Sequence, residues 1–531
     1  MKKTAMAAAC IMLAISATAQ NALDAYNISF NQIKGSSRYV AMGGAFCALG
    51  GDISSLSQNP AGIGVYRSSE FTLTMGGQWN HNASKGAATA TNSVFTFDNT
   101  GIVGTFFTGK HKGLLSFNIG LTYNRPVSYN RTFRGANLKL GSSFTNYLEC
   151  VTRGIPSTDL AVTKEFDAYY QSAAPWVSIL GYQSYLISPV SDGASTYYGL
   201  FDPSKSIGSS INTIYEDGRN DEYTINFGGN VNDRIYFGAA LSIRDLSVTR
   251  TVLYQESLLG TTGYYDDGNI AGDITGSDFD YSTYYNMRGT GISGKFGIIA
   301  RAADFLRLGF AIHTPVYYNI TQTMDASVYF QNTLSSNVRV SSSQTVPQIV
   351  SNRIKIQTPW SFQAGAAYII GKKGILSAEY QYVAYNRMKM KENNGDPFPI
   401  ENEFYKTQFR AGNNIKVGLE YRVTNALSLR AGYAIQLSPV KADLKNVNVE
   451  VPISGMQTTY MLPGNASYYS CGIGYRFSAF NVDLAYQHYY QKSDMFAFSP
   501  LFYNDGTTLI PGSSEIKSKQ NAITVTLGVR F

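Results

Sequence analysis

The last eleven residues, "NAITVTLGVRF", alternate without a fault: Ile523, Val525, Leu527, Val529 and Phe531 on one side, Ala522, Thr524, Thr526, Gly528 and Arg530 on the other. A period of two means a strand with one apolar and one polar face. The pattern recurs in "FNVDLAYQHYY" (480–490) and in "NIKVGLEYRV" (414–423), where Lys416, Glu420 and Arg422 share the polar face. One such strand suits a soluble sandwich. A dozen need an extended apolar exterior.

Connector lengths then choose the architecture. Six short polar connections, "GKHKG" (109–113), "VNDR" (231–234), "RAADF" (301–305), "GKKG" (371–374), "VTNA" (423–426) and "FSAF" (477–480), alternate with long ones rich in Tyr, Ser and Gly. Between them the sequence predicts fourteen strands, near 69–79, 93–107, 113–130, 220–231, 234–254, 281–301, 305–329, 350–370, 374–391, 404–422, 427–445, 465–477, 480–494 and 517–531. An even strand number with turns short at one end and long at the other is the build of an outer-membrane β-barrel. Closure satisfies every backbone group in lipid and leaves no edge, which fits a monomer. Strands of 15 or more residues exceed the ~9–11 that cross a bilayer, so several should project as an extracellular collar. The six short turns put both barrel ends on the periplasmic side, within a membrane of outer-leaflet lipid and lipopolysaccharide. Phe531 is similar to the final aromatic residue through which such barrels engage the barrel-assembly machinery.

The opening "MKKTAMAAACIMLAISATAQ" has two lysines, an apolar run and Ala17-Thr18-Ala19, the form of a secretory signal peptide covering 1–19. Later segments are too short or too polar for a membrane helix. Past the expected signal peptide, which holds Cys10, three cysteines remain, Cys47, Cys150 and Cys471; an odd number so widely spaced indicates neither a disulfide framework nor a zinc site. The net charge of +7 is spread along the chain and gives nucleic acid no basic patch. His81, His111, His313 and His488 share no ligand spacing, so no metal or cofactor is expected. His488, the fairest candidate for a hydrolase base, falls on the apolar face of its strand, and the chain is not read as an enzyme. "YYDDGNIAGDITGSDFD" (264–280) lacks calcium-loop spacing and is expected to be a solvated loop.

Residues 20–68 form a separate unit ahead of the barrel at 69–531. They are dense in Gly, Ser and Ala, as a segment threaded through a lumen requires. They end in Asn59-Pro60-Ala61-Gly62, a turn signal in which Gly62 is free to take a positive φ. "RYVAMGGAFCALGGDISSLSQNPAGIGV" (38–65) resembles the N-terminal hatch of the long-chain fatty-acid transporter family of outer membranes (FadL/TodX type), whose hallmark is an Asn-Pro-Ala turn after a Gly/Ala-rich segment. "RLGFAIHTPV" (307–316), "TPWSFQAGAAYI" (358–369), "VGLEYRVTNALSLRAGYAIQLSPV" (417–440) and "YYSCGIGYRF" (468–477) extend the resemblance along the barrel. It implies a fourteen-stranded barrel plugged by the hatch, passing hydrophobic small molecules by hatch-gated passive diffusion and releasing them through a break in the third strand. Pro126, in "LLSFNIGLTYNRPVSYN", is the candidate for that lateral opening.

One departure is clear. The family's capture groove stands on loops after its fifth and seventh strands, whereas the longest loop here, about 131–219, follows the third. In it Val162, Phe166, Tyr169, Ala173, Val177 and Leu180 recur at helical spacing, Ser157 or Thr158 offers a cap, and Pro175 should split the run. The face reads either as an amphipathic cap over the mouth or as an extracellular capture surface. A second function stays open: some barrels of this kind resemble anchoring components of secretion machinery. A continuous apolar lumen would speak for transport and a polar, filled one against it.

"GTGISGKFG" (289–297) satisfies G-x-G-x-x-G and nearly the P-loop pattern, but no helix follows, so the phosphate reading fails on context. Alternation instead turns Gly289, Gly291, Ser293, Lys295 and Gly297 inward, a smooth lumen-facing stripe that leaves room for the hatch or a ligand.

Overall fold

The computed structural model describes residues 20–371 and 373–531; the expected signal peptide lies outside the described residues. Where the sequence alternates, strands form: β1 (Glu70–Ser84), β2 (Ala90–Phe107), β3 (Leu114–Ser128), β4 (Ile207–Val231), β5 (Ile235–Leu259) and β6 (Ala271–Ala303). β7 has two pieces (Leu306–His313 and Tyr317–Leu334), as do β8 (Val350–Gln357 and Ser361–Ile370) and β9 (Gly374–Val383 and Lys389–Glu392). β10 (Gly412–Arg422), β11 (Leu427–Gln436), β12 (Tyr460–Phe477), β13 (Phe480–Phe496) and β14 (Ser513–Arg530) complete the set. Each pairs antiparallel with its neighbours, and β14 returns to β1 from Arg530↔Glu70 to Ile516↔Ser84. The result is a closed fourteen-stranded barrel.

Its outer face carries the apolar alternates of the sequence: Phe296 and Ile298 on β6, Val482 and Leu484 on β13, Val525 and Leu527 on β14 are all exposed. Above them Tyr382, Tyr317 and Tyr469 mark the outer aromatic girdle.

The collar is taller than the sequence predicts. β4 begins at Ile207 and not near 220, and β6 runs 33 residues upward to Ala271, so most of the expected acidic loop, Ala271–Asp280, is strand. Above the membrane the outer face of a strand meets water while the inner face packs on the apolar cap, so the apolar-out, polar-in alternation of a lipid-facing strand is lost. The opposite error occurs at 404–411, where the predicted strand is the end of a helix, Pro399–Gln408, opened by Pro399 in its first turn. Likewise 437–445 leaves the wall and ends in a helical turn, Ala442–Lys445.

Residues 20–68 descend through the lumen. Gln20–Asn21 pair with Ile453–Ser454 of the loop above β11 and β12, at the outer mouth. Helix α1 (Leu23–Ser29) follows, then α2 (Ser37–Ala41) and two 3-10 turns, Ser54–Ser57 and Pro60–Val65, near the periplasmic rim. α1 packs into one large apolar cluster with the loop helices α3 (Phe144–Thr152) and α5 (Trp176–Gln183) and with the inward side chains of the collar. That cluster closes the mouth.

Candidate functional site

Asn59 is the staple of the lower lumen. As N-cap of the Pro60–Val65 turn, its Oδ1 accepts from Ala61 N (3.0 Å), while its Nδ2 donates to Cys47 O (2.6 Å) and to the wall carbonyls Ile298 O and Phe310 O (3.4 Å each). Pro60 suits the first helical position, where no N–H is needed. Gly62 does not use the positive φ expected of it. It sits inside the 3-10 turn, and its hydrogen is required because a Cβ would stand 3.0 Å from Gly50 Cα.

The wall opposite is cut back to backbone where the hatch lies against it. A Cβ on Gly297 would fall on Asn59 Oδ1, on Gly309 it would meet Cys47 O, and on Gly238 it would meet Pro60 O. Gly365 faces Cys47 Cβ at 3.0 Å and Gly228 faces Ile63 Cγ2 at 2.5 Å. Of the three stripe glycines only Gly297 meets the hatch. Gly291 faces Val316 and Tyr318, and Gly289 crowds the backbone of Asn319, both within the wall.

Charged groups fix the same interface. Glu379 accepts from Lys416 Nζ (2.9 Å), Gln58 Nε2 (2.5 Å) and Cys47 N (3.0 Å). Lys295, the one charge in the glycine stripe, reaches Glu222 (2.6 Å) and Ser57 O (2.9 Å), and Arg244 shares Glu222. Arg38 of α2 and Arg430 both grip Glu420. His313 Nε2 donates to Gln58 O at 2.7 Å. Such pairs are tolerated in a buried place only because every charge has a partner. Within the hatch, burial pushes the Asp52 and Asp24 carboxyls up, against the pull of Arg38 and Arg250 respectively.

Above the hatch turn lies a cavity of about 90 Å³, lined by Leu23, Tyr26, Phe30 and Gln32, by Arg131 and Phe133, and by Glu216 and Arg250 of the wall. Its lining mixes apolar and charged groups, and it is smaller than the ~300–1,000 Å³ of ordinary ligand pockets. Beside it the wall has a seam. β2 pairs with β3 only from Asn99↔Asn124 to Phe107↔Ser116, so the Ala90–Asp98 edge has no β3 partner. The register of β3 against β4 shifts between Asn124 and Val127, and Pro126 O accepts from Gln32 N (3.1 Å) of the hatch. The chain stays on β4 beyond this shift, pairing from Arg131↔Glu216 to Asn137↔Ser210, and also reaches the strands on the far side of β2: Thr132 O accepts from Asn82 Nδ2 of β1 and Ala136 O from Ser514 Oγ of β14. Two further proline-centred breaks, at Thr314–Val316 and Thr358–Trp360, stand side by side between the pieces of β7 and β8, joined by Val316 N donating to Thr358 Oγ1 (2.7 Å). The sequence showed both prolines, but only adjacency in the wall makes them one feature.

A model of the outer membrane protein transport protein family (OMPP1/FadL/TodX) matches residues 207–531. The chain belongs to that family. FadL/TodX-type proteins are outer-membrane transport barrels and not an enzyme class, which fixes the localisation and sets the hydrolase reading aside. The match begins at β4, so the hatch and the loop helices lie outside it. Among solved structures, a Pseudomonas aeruginosa FadL homologue is 12% identical over 95% of this chain and 100% of its own, with a TM-score of 0.51, a likeness of fold. The Pseudomonas putida toluene transporter TodX (12%, 95% and 100%, TM-score 0.47) and the Ralstonia pickettii toluene transporter TbuX (13%, 94% and 100%, TM-score 0.46) also align. No curated protein matches the chain in sequence.

The loop after β3 departs from its predicted helical run. Ser157–Leu160 is a 3-10 turn, Val162 bridges to Asp167, and only Ala168–Gln171 (α4) and α5 are helical, with Asp167 and Pro175 as their N-caps. Val177 and Leu180 are buried in the cap core, so they cannot belong to a capture surface; the helix seats its apolar face on the collar. Val162 is exposed and Phe166 and Tyr169 are half-buried. Among the described residues no three His, Cys, Asp or Glu side chains gather to hold a metal. His488 bonds Asn521 Oδ1 at 2.8 Å on the outer face.

Proposed function

We propose that this family member passes hydrophobic small molecules, long-chain fatty acids or other lipophiles, inward by passive diffusion gated by the hatch. The observation that carries the reading is the contact between cavity and seam: Gln32 lines the cavity, and its N–H is held by Pro126 O where the register of β3 against β4 is broken. On this reading ligand meets the outer surface near Val162, Phe166 and Tyr169 and enters the cavity as α1 and the cap part. It leaves sideways between the Ala90–Asp98 edge and Pro126. An apolar ligand gains roughly 25 cal/mol per Å² by leaving water, and release follows when the hatch shifts to an arrangement that binds it less well. Asn59 to Gly62 is the pivot, and Gly297 the notch in which it rests. Phe531, exposed at the periplasmic rim, remains the proposed handle for the assembly machinery. The ring is read as a monomer, its β1–β14 closure complete.

A lock tests the gate. In a Cys150→Ser, Cys471→Ser background, Gly365→Cys faces the native Cys47, with 3.0 Å between the two Cβ positions. A disulfide prefers ~3.5–4.5 Å, a small adjustment. Oxidation should abolish uptake of radiolabelled lipophiles by cells lacking their own transporter, and reductant should restore it. Full uptake by the oxidised protein would remove the hatch from the mechanism.

The anchoring reading draws on one observation, the small cavity with mixed lining beneath a closed cap. It requires that no lipophile in a broad panel accumulate above the level of deletion cells while surface exposure of the cap stays intact.

A further inference from the structure

Just above the outer aromatic girdle, one sector of the wall carries cations that no ion pair among the described residues balances. Tyr317 of β7, Gln357 of β8 and Lys389 of β9 form one cross-strand row. The next row up is Asn319, Lys355 and Lys391, with Lys355 and Lys391 directly opposite each other. The row above holds Arg353 opposite Thr321, and Thr321 opposite Arg288 of β6. Arg288, Arg353, Lys389 and Lys391 are exposed and Lys355 half-buried, on the face away from the buried Ile354, Ile356 and Met390. Among the described residues none of these five makes an ion pair. Glu392, next on the ladder, is exposed and unpaired as well.

Like charges directly opposite on a ladder destabilise it, with Cβ atoms only about 5 Å apart. Elsewhere in the collar the same belt neutralises itself: Arg125 and Arg219 share Asp221, and Lys492 and Lys517 share Glu515. The β8–β9 pair does not. Its height is set by Tyr317 and by the Trp360, Phe362 and Tyr382 rings beneath it, with neighbouring centroids 6.5 and 6.2 Å apart. Aromatic girdles sit at the headgroup boundary, so two residues farther up, about 7 Å of strand, the cations face the charged layer of the outer leaflet.

We propose that Arg353, Lys355, Lys389 and Lys391, with Arg288 at the edge, bind the phosphates of an outer-leaflet phosphorylated glycolipid, the lipopolysaccharide anchor, whose acyl chains lie on the girdle below. Basic clusters at a membrane surface recognise anionic headgroups in this way, and the outer leaflet supplies the counter-charge the β8–β9 ladder lacks.

The test uses the full chain in phosphatidylcholine nanodiscs titrated with lipid A or with dephosphorylated lipid A. Retained lipid is counted by native mass spectrometry. Phosphorylated lipid A should be retained about tenfold more strongly than the dephosphorylated form, with preference falling as salt rises. The variant R353Q/K355Q/K389Q/K391Q should lose that preference, and K492Q/K517Q should keep it. Heat-modifiable gel mobility reports folding; should the quadruple variant misassemble, K355Q/K391Q must lose most of the preference. Equal retention of both lipids, or a folded variant that keeps the preference, would overturn the assignment. Inorganic phosphate displacing lipid A at equal concentration would make it a site for the free ion.

Discussion

The two ends of the lumen are filled by different physics. Below, the hatch meets the wall through glycines and buried ion clusters around Glu379, Glu222 and Glu420, with a modest apolar contact from Val40, Met42 and Phe46 to Ala367, Ala434 and Ala485. Above, α1, α3 and α5 and the collar form a continuous apolar cluster, with the Phe144 ring tilted against Tyr281 at 4.7 Å. A polar interface exchanges partners with water group by group. An apolar one opens only by parting surfaces. The lower plug is therefore specific in register but divisible, and the upper cap is held by area.

Three substitutions probe that contrast, the strongest first. Glu379→Ala strips Lys416, Gln58 and Cys47 N of one shared acceptor; loss of one partner of a buried pair costs about 3–5 kcal/mol. Amide exchange should rise through residues 44–58 while α3 and α5 stay protected; a protected hatch would show that glycine fit alone holds it. Leu180→Ala opens a hole in the cap core, at about 2–4 kcal/mol. Here protease sensitivity should appear at 153–175 and the hatch should be unmoved. If both ends loosen together, the lumen is one unit and the contrast fails.

The smallest effect is on pH. Glu256, high in the collar, accepts from Phe144 N (3.1 Å) and from the Ser143 and Tyr254 hydroxyls at the start of α3, and burial pushes its carboxyl up to about 7. The folded state thus holds a proton that the unfolded chain, near 4.5, has released. Stability from this group is fullest below 4.5, declines as pH rises, and is lost above about 7. Exchange in α3, corrected for intrinsic rates, should slow between pH 7.5 and 5.5, and Glu256→Gln should flatten the profile. An unchanged profile in the variant would place the titration elsewhere.

Much of this was legible in the chain. Alternation and turn lengths gave the barrel and its orientation, because a strand that faces lipid must be apolar at every second residue. Asn59-Pro60 marked the hatch turn, and the inward phase of Gly297 and Lys295 followed from parity alone. Lys416 was visible as a charge on the polar face of its strand, but its partner Glu379 was not, since 37 residues separate them. Gly62 was read for its φ when its role is contact with Gly50, which no local pattern encodes. Val177 and Leu180 have apolar spacing whichever way their helix faces.

Sequence by itself determined the wall, since lipid is a uniform solvent and imposes the same rule on every strand. Tertiary structure alone decided the contents of the lumen, where a hatch glycine, a wall carbonyl and a distant carboxylate meet only after the ring has closed.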